Sequence, residues 1–183
     1  MPEFPIKAIC ELGAEGKPCH GGADDIVKTC HGKVTFEQHD ADTVSISWEV
    51  HNLTPGKHGF HIHEKADFSN GCTSAGPHYN PFGKTHGAPA DEERHVGDLG
   101  NISPGPDGIS RGSMKDKLVK LFGEYSVIGR SVMVHADEDD LGRGDNSEPG
   151  GDGKPPVNGK ASKVTGNAGA RIGCGAIKLV SHL

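Results

Sequence analysis

No run of apolar residues in this 183-residue chain is longer than three, which excludes a transmembrane helix and the apolar centre of a secretory signal. The opening Met1-Pro2-Glu3-Phe4-Pro5 has no basic stretch, so the expected location is cytoplasmic. An excess of positive charge is also missing. The net charge is −6, which argues against nucleic acid or an anionic membrane as the general partner. Aromatic residues are scarce, with one Trp, two Tyr and six Phe. Twenty-eight glycines and 12 prolines leave little room for long helices. The length suits one domain spanning 1–183. What the chain has in quantity is histidine, 12 of them.

The apolar residues that are present recur with period two. Val44, Ile46, Trp48 and Val50 alternate with Ser45, Ser47 and Glu49, the pattern of a half-buried antiparallel strand. Val34 and Phe36 repeat it within Lys33–Gln38, Phe60 and Ile62 before His63, and Val132 and Val134 within Ser131–His135. Further strands are expected at Ile6–Glu11, roughly Gly112–Phe122, and Ile172–Val180. The apolar spacing of Met114–Phe122 would also suit a helix, but Gly112 and Gly123 bound it tightly. Many short strands separated by turn residues predict an all-β sandwich or barrel. Glu64–Val96 and Ala136–Ala170 show no periodicity, and loops of that length are usually functional or disordered.

Histidine placement carries the chemistry. His61 and His63 stand at i and i+2 on a predicted strand, so they share a face with Cα atoms about 6.6 Å apart. Phe60 and Ile62 take the core side, which turns both imidazoles outward. The loop that follows supplies His78, His86 and His95, then Asp98, and His135 ends a later strand. Imidazole suits copper and zinc, and imidazoles with one carboxylate suit tetrahedral zinc. A single surface histidine would mean little, whereas six at strand ends and in one loop point to metal.

Several stretches together resemble the eukaryotic cytosolic copper/zinc superoxide dismutase family. They are Gly59-Phe60-His61-Ile62-His63-Glu64, Gly71-Cys72-Thr73-Ser74-Ala75-Gly76-Pro77-His78-Tyr79-Asn80-Pro81 and Thr85-His86-Gly87-Ala88-Pro89. Glu93-Arg94-His95-Val96-Gly97-Asp98-Leu99-Gly100-Asn101, Gly129-Arg130-Ser131-Val132-Met133-Val134-His135, Thr165-Gly166-Asn167-Ala168-Gly169-Ala170-Arg171 and Cys174-Gly175 continue it. The similarity runs from Ile6 to about Leu179. It implies a Greek-key antiparallel β-sandwich or barrel with two long functional loops. It also implies an enzyme that disproportionates superoxide, using a redox-cycling copper bridged through a histidine to a structural zinc. Carried over by position, the copper ligands would be His61, His63, His78 and His135. The zinc ligands would be His78, His86, His95 and Asp98, with His78 as the bridge. Asp139 matches the carboxylate that links a copper and a zinc histidine, and Arg171 the cation beside copper. The resemblance further implies a homodimer, loading by a copper chaperone, and a Cys72–Cys174 disulfide. His58 matches a structural histidine. His20, His31, His39, His51 and His182 have no matched role and are expected on the surface.

Other features fall outside the family pattern. By compartment alone, cytosolic cysteines would be free thiols, and Cys10 sits at an inward strand position. Cys19-His20 and Cys30-His31 flank an inserted segment, Gly21–Thr29, with three open readings: plain thiols, a hairpin disulfide or an accessory metal site. The loop after His135 is long around Asn146–Gly159. Val164 replaces the lysine before Thr-Gly-Asn-Ala-Gly, with Lys163 one position earlier. Lys65 and Lys178 put charge where the family's dimer surface lies, while Ile128 and Gly129 fit its apolar part. From Gly142 to Arg171 the chain carries Arg143, Lys154, Lys160, Lys163 and Arg171 against Asp145, Glu148 and Asp152, a local +2 that could attract an anion. The sequons at Asn52 and Asn101 need secretion to matter, and Arg143-Gly144-Asp145 reads as a chance tripeptide. A copper chaperone of the same fold would need Cys-x-x-Cys and Cys-x-Cys motifs not seen here. A storage or zinc-only sandwich would hold zinc without redox-active copper.

Overall fold

The computed structural model describes residues 3–13, 30–144 and 161–180. Cys19, His20, the Gly21–Thr29 insertion, Asn146–Gly159, Asp145, Glu148, Asp152, Lys154, Lys160 and His182 lie outside the described residues. Nine strands follow one another: β1 (Ile6–Leu12), β2 (His31–Gln38), β3 (Val44–His51), β4 (His58–His63), β5 (Ser69–Cys72), β6 (Asp98–Ile102), β7 (Ser110–Asp116), β8 (Ser131–His135) and β9 (Arg171–Leu179). A 3₁₀ turn at Thr73–Ala75 and a four-residue helix α1 at Ser162–Thr165 are the helical elements among the described residues. Eight strands form one antiparallel sheet in the order β6-β4-β8-β9-β1-β2-β3-β7, curled into a nearly closed barrel. Pairings such as β1 with β9 and β3 with β7 join strands distant in sequence.

The period-two pattern becomes the core. Val34, Phe36, Val44, Ile46, Phe60, Ile62, Val132 and Val134 are all buried, and their intervening neighbours on β2 and β3 face outward. Trp48 keeps the phase but is only partly buried. It lies opposite Gly112 on β7, where a Cβ would come 2.5 Å from Trp48 Cζ2, so the glycine makes room for the indole. On the solvent face, Glu11, Lys33, Glu49 and Arg111 stand in register across β1, β2, β3 and β7. This alternation of charge favours the native register, because a like-charged pair directly opposite would repel.

Three sequence expectations need correction. The strand predicted to run to Phe122 stops at Asp116, whose Oδ1 accepts hydrogen bonds from Leu118 N at 2.7 Å and Val119 N at 2.8 Å and turns the chain. The aperiodic stretch after Glu64 contains β5 and the 3₁₀ turn, and β6 follows it unanticipated. The long segment before Arg171 contains α1.

The two edge strands, β6 and β7, share no ladder. Arg94 joins their ends at one rim of the barrel. It donates to Asp98 O at 3.1 Å and pairs with the Asp116 carboxylate, and both side chains of that pair are buried.

Candidate metal centre

All six residues of β4 are buried. His61 and His63 do turn away from Phe60 and Ile62, as expected, but the loops cover them completely, to 0% and 1% exposure. One covering piece is the chain at His78, which forms a β-bridge with His63. Another is the turn after β8, where a register shift between Val134 and His135 brings the last imidazole inward. His61, His63, His78 and His135 thus converge, and each can present a ring nitrogen within 4.8 Å of the others. His78, His86, His95 and Asp98 converge in the same way and share His78 with the first group. His61 and His78 rings are 4.0 Å apart between centroids.

Asp139 sets the ring orientations. Its Oδ2 accepts from His61 Nε2 at 2.7 Å and its Oδ1 from His86 Nε2 at 2.8 Å. With Nε2 protonated on both rings, the lone pair of each lies on Nδ1. Both Nδ1 atoms are buried with no hydrogen-bond partner. Backbone carbonyls do the same for the other two rings: Gly76 O holds His63 Nδ1 at 2.8 Å and Gly169 O holds His135 Nδ1 at 3.1 Å. The Nε2 atoms of His63 and His135 are left buried and unpartnered. Four orphaned nitrogens are too costly to keep unless something accepts their lone pairs.

On the second side the spacing is that of a coordination polyhedron. Asp98 Oδ1 lies 2.9 Å from His78 Nδ1, 2.9 Å from His86 Nδ1 and 3.1 Å from His95 Nδ1, and the His78 and His95 Nδ1 atoms are 3.4 Å apart. The His86 contact is not aligned as a hydrogen bond, which leaves that nitrogen among the orphans. A tetrahedron with metal–nitrogen bonds of about 2.0 Å has edges of about 3.3 Å. Asp98 Oδ2 is meanwhile pinned by the backbone N–H groups of Gly87 at 3.1 Å and His95 at 2.8 Å.

Electrostatics favour the ligand forms of His61, His63, His78, His135 and Asp98, but not of His86. Burial holds His61, His63 and His78 below the usual histidine value, reinforced at His61 and His63 by neighbouring imidazoles. Burial likewise takes His135 down to about 4. A neutral imidazole is the metal-binding form. Burial also opposes charge on His86, but the Asp139 and Asp98 carboxylates outweigh it and lift this ring to about 9. For Asp98, burial is overridden by its three imidazole partners, and the carboxyl stays well below the ordinary range.

The family model for copper/zinc superoxide dismutase matches residues 30–177. The chain belongs to that family. As a copper/zinc superoxide dismutase it is an oxidoreductase that converts two superoxide ions and two protons to dioxygen and hydrogen peroxide, with copper and zinc as cofactors. The donor sets fit both: four imidazole nitrogens for copper, and three with a carboxylate for zinc. In this dismutase Arg171 lies at the start of β9. Its Nη1 donates to Cys72 O at 2.8 Å and Thr73 O at 3.2 Å, and its Nη2 to Gly76 O at 2.7 Å. Its charge bears on both His63 and His135. The Cys72–Cys174 disulfide is formed and holds the 72–76 segment against β9.

Other expected residues fall elsewhere. His58 is buried with its ring nitrogens facing His135 O at 2.8 Å and Thr54 O at 2.9 Å, and neither is left for a metal. Cys10 and Cys30 are free buried thiols, which burial pushes up to about 12. Cys30 lies against Gly173 beneath the sheet while His31 next to it is exposed, so this pair cannot close round one ion. Arg143 pairs with Asp91 at 3.0 Å, and the charge of Lys163 falls on the same carboxylate. The charge of Arg171 falls instead on His63 and His135. Two residues had no assigned role in the sequence. Asn101 grips Asp139 with two hydrogen bonds of 2.8 Å, and Arg94 supports the backbone at His95 and Asp98. Only their place beside recognised ligands could have flagged them.

Proposed function

We propose that His61, His63, His78 and His135 hold the copper, and that His78, His86, His95 and Asp98 hold the zinc, with His78 shared. The tetrahedral spacing of the Asp98 side, joined through His78 to the cluster of unpartnered nitrogens, carries this reading. Copper supplies the one-electron chemistry, and zinc, which has none, serves to fix the shared ring. Asp139 keeps His61 and His86 in the tautomer that points Nδ1 inward. Arg171 attracts superoxide and hydrogen-bonds it with the part of the guanidinium not used by the 72–76 carbonyls. His78 holds and releases a proton at Nε2, the nitrogen turned from Asp98.

The whole chain acts as one such unit, working as a homodimer in the cytoplasm and receiving copper from a chaperone. Leu179, 54% exposed on β9, and half-buried Ile128 give the dimer an apolar contact, and Lys65 and Lys178 set its charged rim. The two free thiols suit a reducing compartment.

Metal analysis of purified protein, combined with a superoxide-consumption assay, tests the assignment. One copper and one zinc per chain with activity is expected. Zinc alone without activity would instead identify a structural sandwich, and copper transfer to another protein without turnover a chaperone. Sedimentation at micromolar concentration tests the dimer.

A further inference from the structure

Two histidines without a place in the buried centre meet on the outer face of the barrel. His31 opens β2 and His51 closes β3, and the antiparallel register sets them directly opposite each other. Such a pair has Cβ atoms about 5 Å apart. Their rings lie face to face, 5.2 Å between centroids and 14° from parallel. His51 Nε2 is 2.8 Å from Glu49 Oε1, two residues back on the same face, and Arg111 Nε fixes the other oxygen of that carboxylate at 2.9 Å. A carboxylate behind one nitrogen of an imidazole is how proteins commonly orient a metal-binding histidine, and it leaves the lone pair on the other nitrogen, here Nδ1 of His51. The His31 side chain makes no hydrogen bond to another described residue, and the residue is exposed.

We propose that His31 and His51 form a solvent-facing site for a borderline divalent cation, Cu(II) foremost, with Glu49 as the outer partner that orients His51. Two imidazoles suit copper, zinc and nickel, and Cu(II) binds most tightly in that series. Rotation about the side-chain torsions brings one nitrogen of each ring onto a shared ion, and water completes its coordination. The site needs neither Cys30, which points into the core, nor any ligand of the buried centre.

His39 provides a built-in control. It is also exposed and lies 3.7 Å from a glutamate, Glu37, but no second imidazole among the described residues faces it. The experiment titrates Cu(II) into enzyme already carrying its full copper and zinc and follows bound copper by equilibrium dialysis and by paramagnetic resonance. Wild type takes up one further equivalent, whose difference spectrum shows coupling to nitrogen. His31→Gln and His51→Gln each abolish that uptake at the same free copper, Glu49→Gln weakens it about tenfold, and His39→Gln behaves as wild type. Superoxide consumption by the copper- and zinc-loaded enzyme, before any further copper is added, stays unchanged in all four, which shows that they are folded. The inference is overturned if wild type binds no further copper, or if His31→Gln or His51→Gln binds it as wild type does.

Discussion

Gly166 is where one methyl group should do most damage to the metal centre. It ends α1 in the left-handed region, at φ +68°. A Cβ built there overlaps Asp139 Oδ1 and lies 2.5 Å from His86 Nε2. In Gly166→Ala the carboxylate must therefore leave the two imidazoles it bridges. Each charge-assisted hydrogen bond contributes about 1.5–3 kcal/mol, so the pair is worth about 3–6 kcal/mol before water re-enters. Loss of such an outer carboxylate lowers metal affinity about 10- to 100-fold. A matched control separates this from backbone strain. Gly123 also has positive φ, +82°, but nothing lies within 4 Å of its Cβ position. Gly123→Ala then carries only the strain of about 1–2 kcal/mol, partly offset by a stiffer unfolded chain. The melting temperature of a chain this size should fall by about 2–4 °C for each kcal/mol. Zinc affinity measured by chelator competition, with melting of the metal-loaded proteins alongside, makes the comparison. If Gly166→Ala keeps wild-type zinc affinity and melts with Gly123→Ala, Asp139 does not depend on the bare glycine and the reasoning fails.

Arg171→Ile should slow superoxide turnover strongly with copper retained, Arg171→Lys less so. The wild-type rate should fall as salt shortens the Debye length from about 30 Å at 0.01 M to about 10 Å at 0.1 M; a low-salt rate indifferent to Arg171→Ile would show that this cation does not guide substrate. His135→Ala should remove copper-dependent activity and spare zinc, while Asp98→Ala should lose zinc first; elemental analysis showing equal loss of both metals in both variants would contradict the division of ligands. Cys10 and Cys30 should resist iodoacetamide at pH 8 in native protein and react after denaturation. Because the folded state raises both thiols from about 9 to about 12, their contribution to stability is intact below pH 9 and declines as pH rises towards 12; rapid native alkylation would refute their burial.

Much of the barrel could be read from alternation alone, since Val34, Phe36, Ile46, Phe60 and Val132 each do one thing, turning an apolar side chain into the core. β6 escaped because Asp98-Leu99-Gly100-Asn101-Ile102 has too few apolar side chains to show a period, and its strand is made by pairing with β4. The proposed metal ligands were legible as residue types. Which nitrogen each ring presents was not, because that depends on Asp139, Gly76 O and Gly169 O, partners far away in sequence. The burial of His61 and His63 was equally hidden: strand alternation turns them outward, and only the folded loops decide that outward is dry. The same holds for His31 and His51, whose meeting is a matter of register.

The Arg94 clasp bridges a barrel seam that has no ladder across it. Removing one member of a buried ion pair costs about 3–5 kcal/mol, and here the loss falls on the rim that also carries His95 and Asp98. The two strand edges, which share no ladder, would then lose the clasp that holds their ends together, leaving their unpaired backbone groups more accessible as templates to another molecule. Zinc occupancy and resistance to edge-to-edge assembly are therefore coupled through Arg94. An apo-protein weakened at this guanidinium would tend to polymerise along β6 and β7 before its core melts.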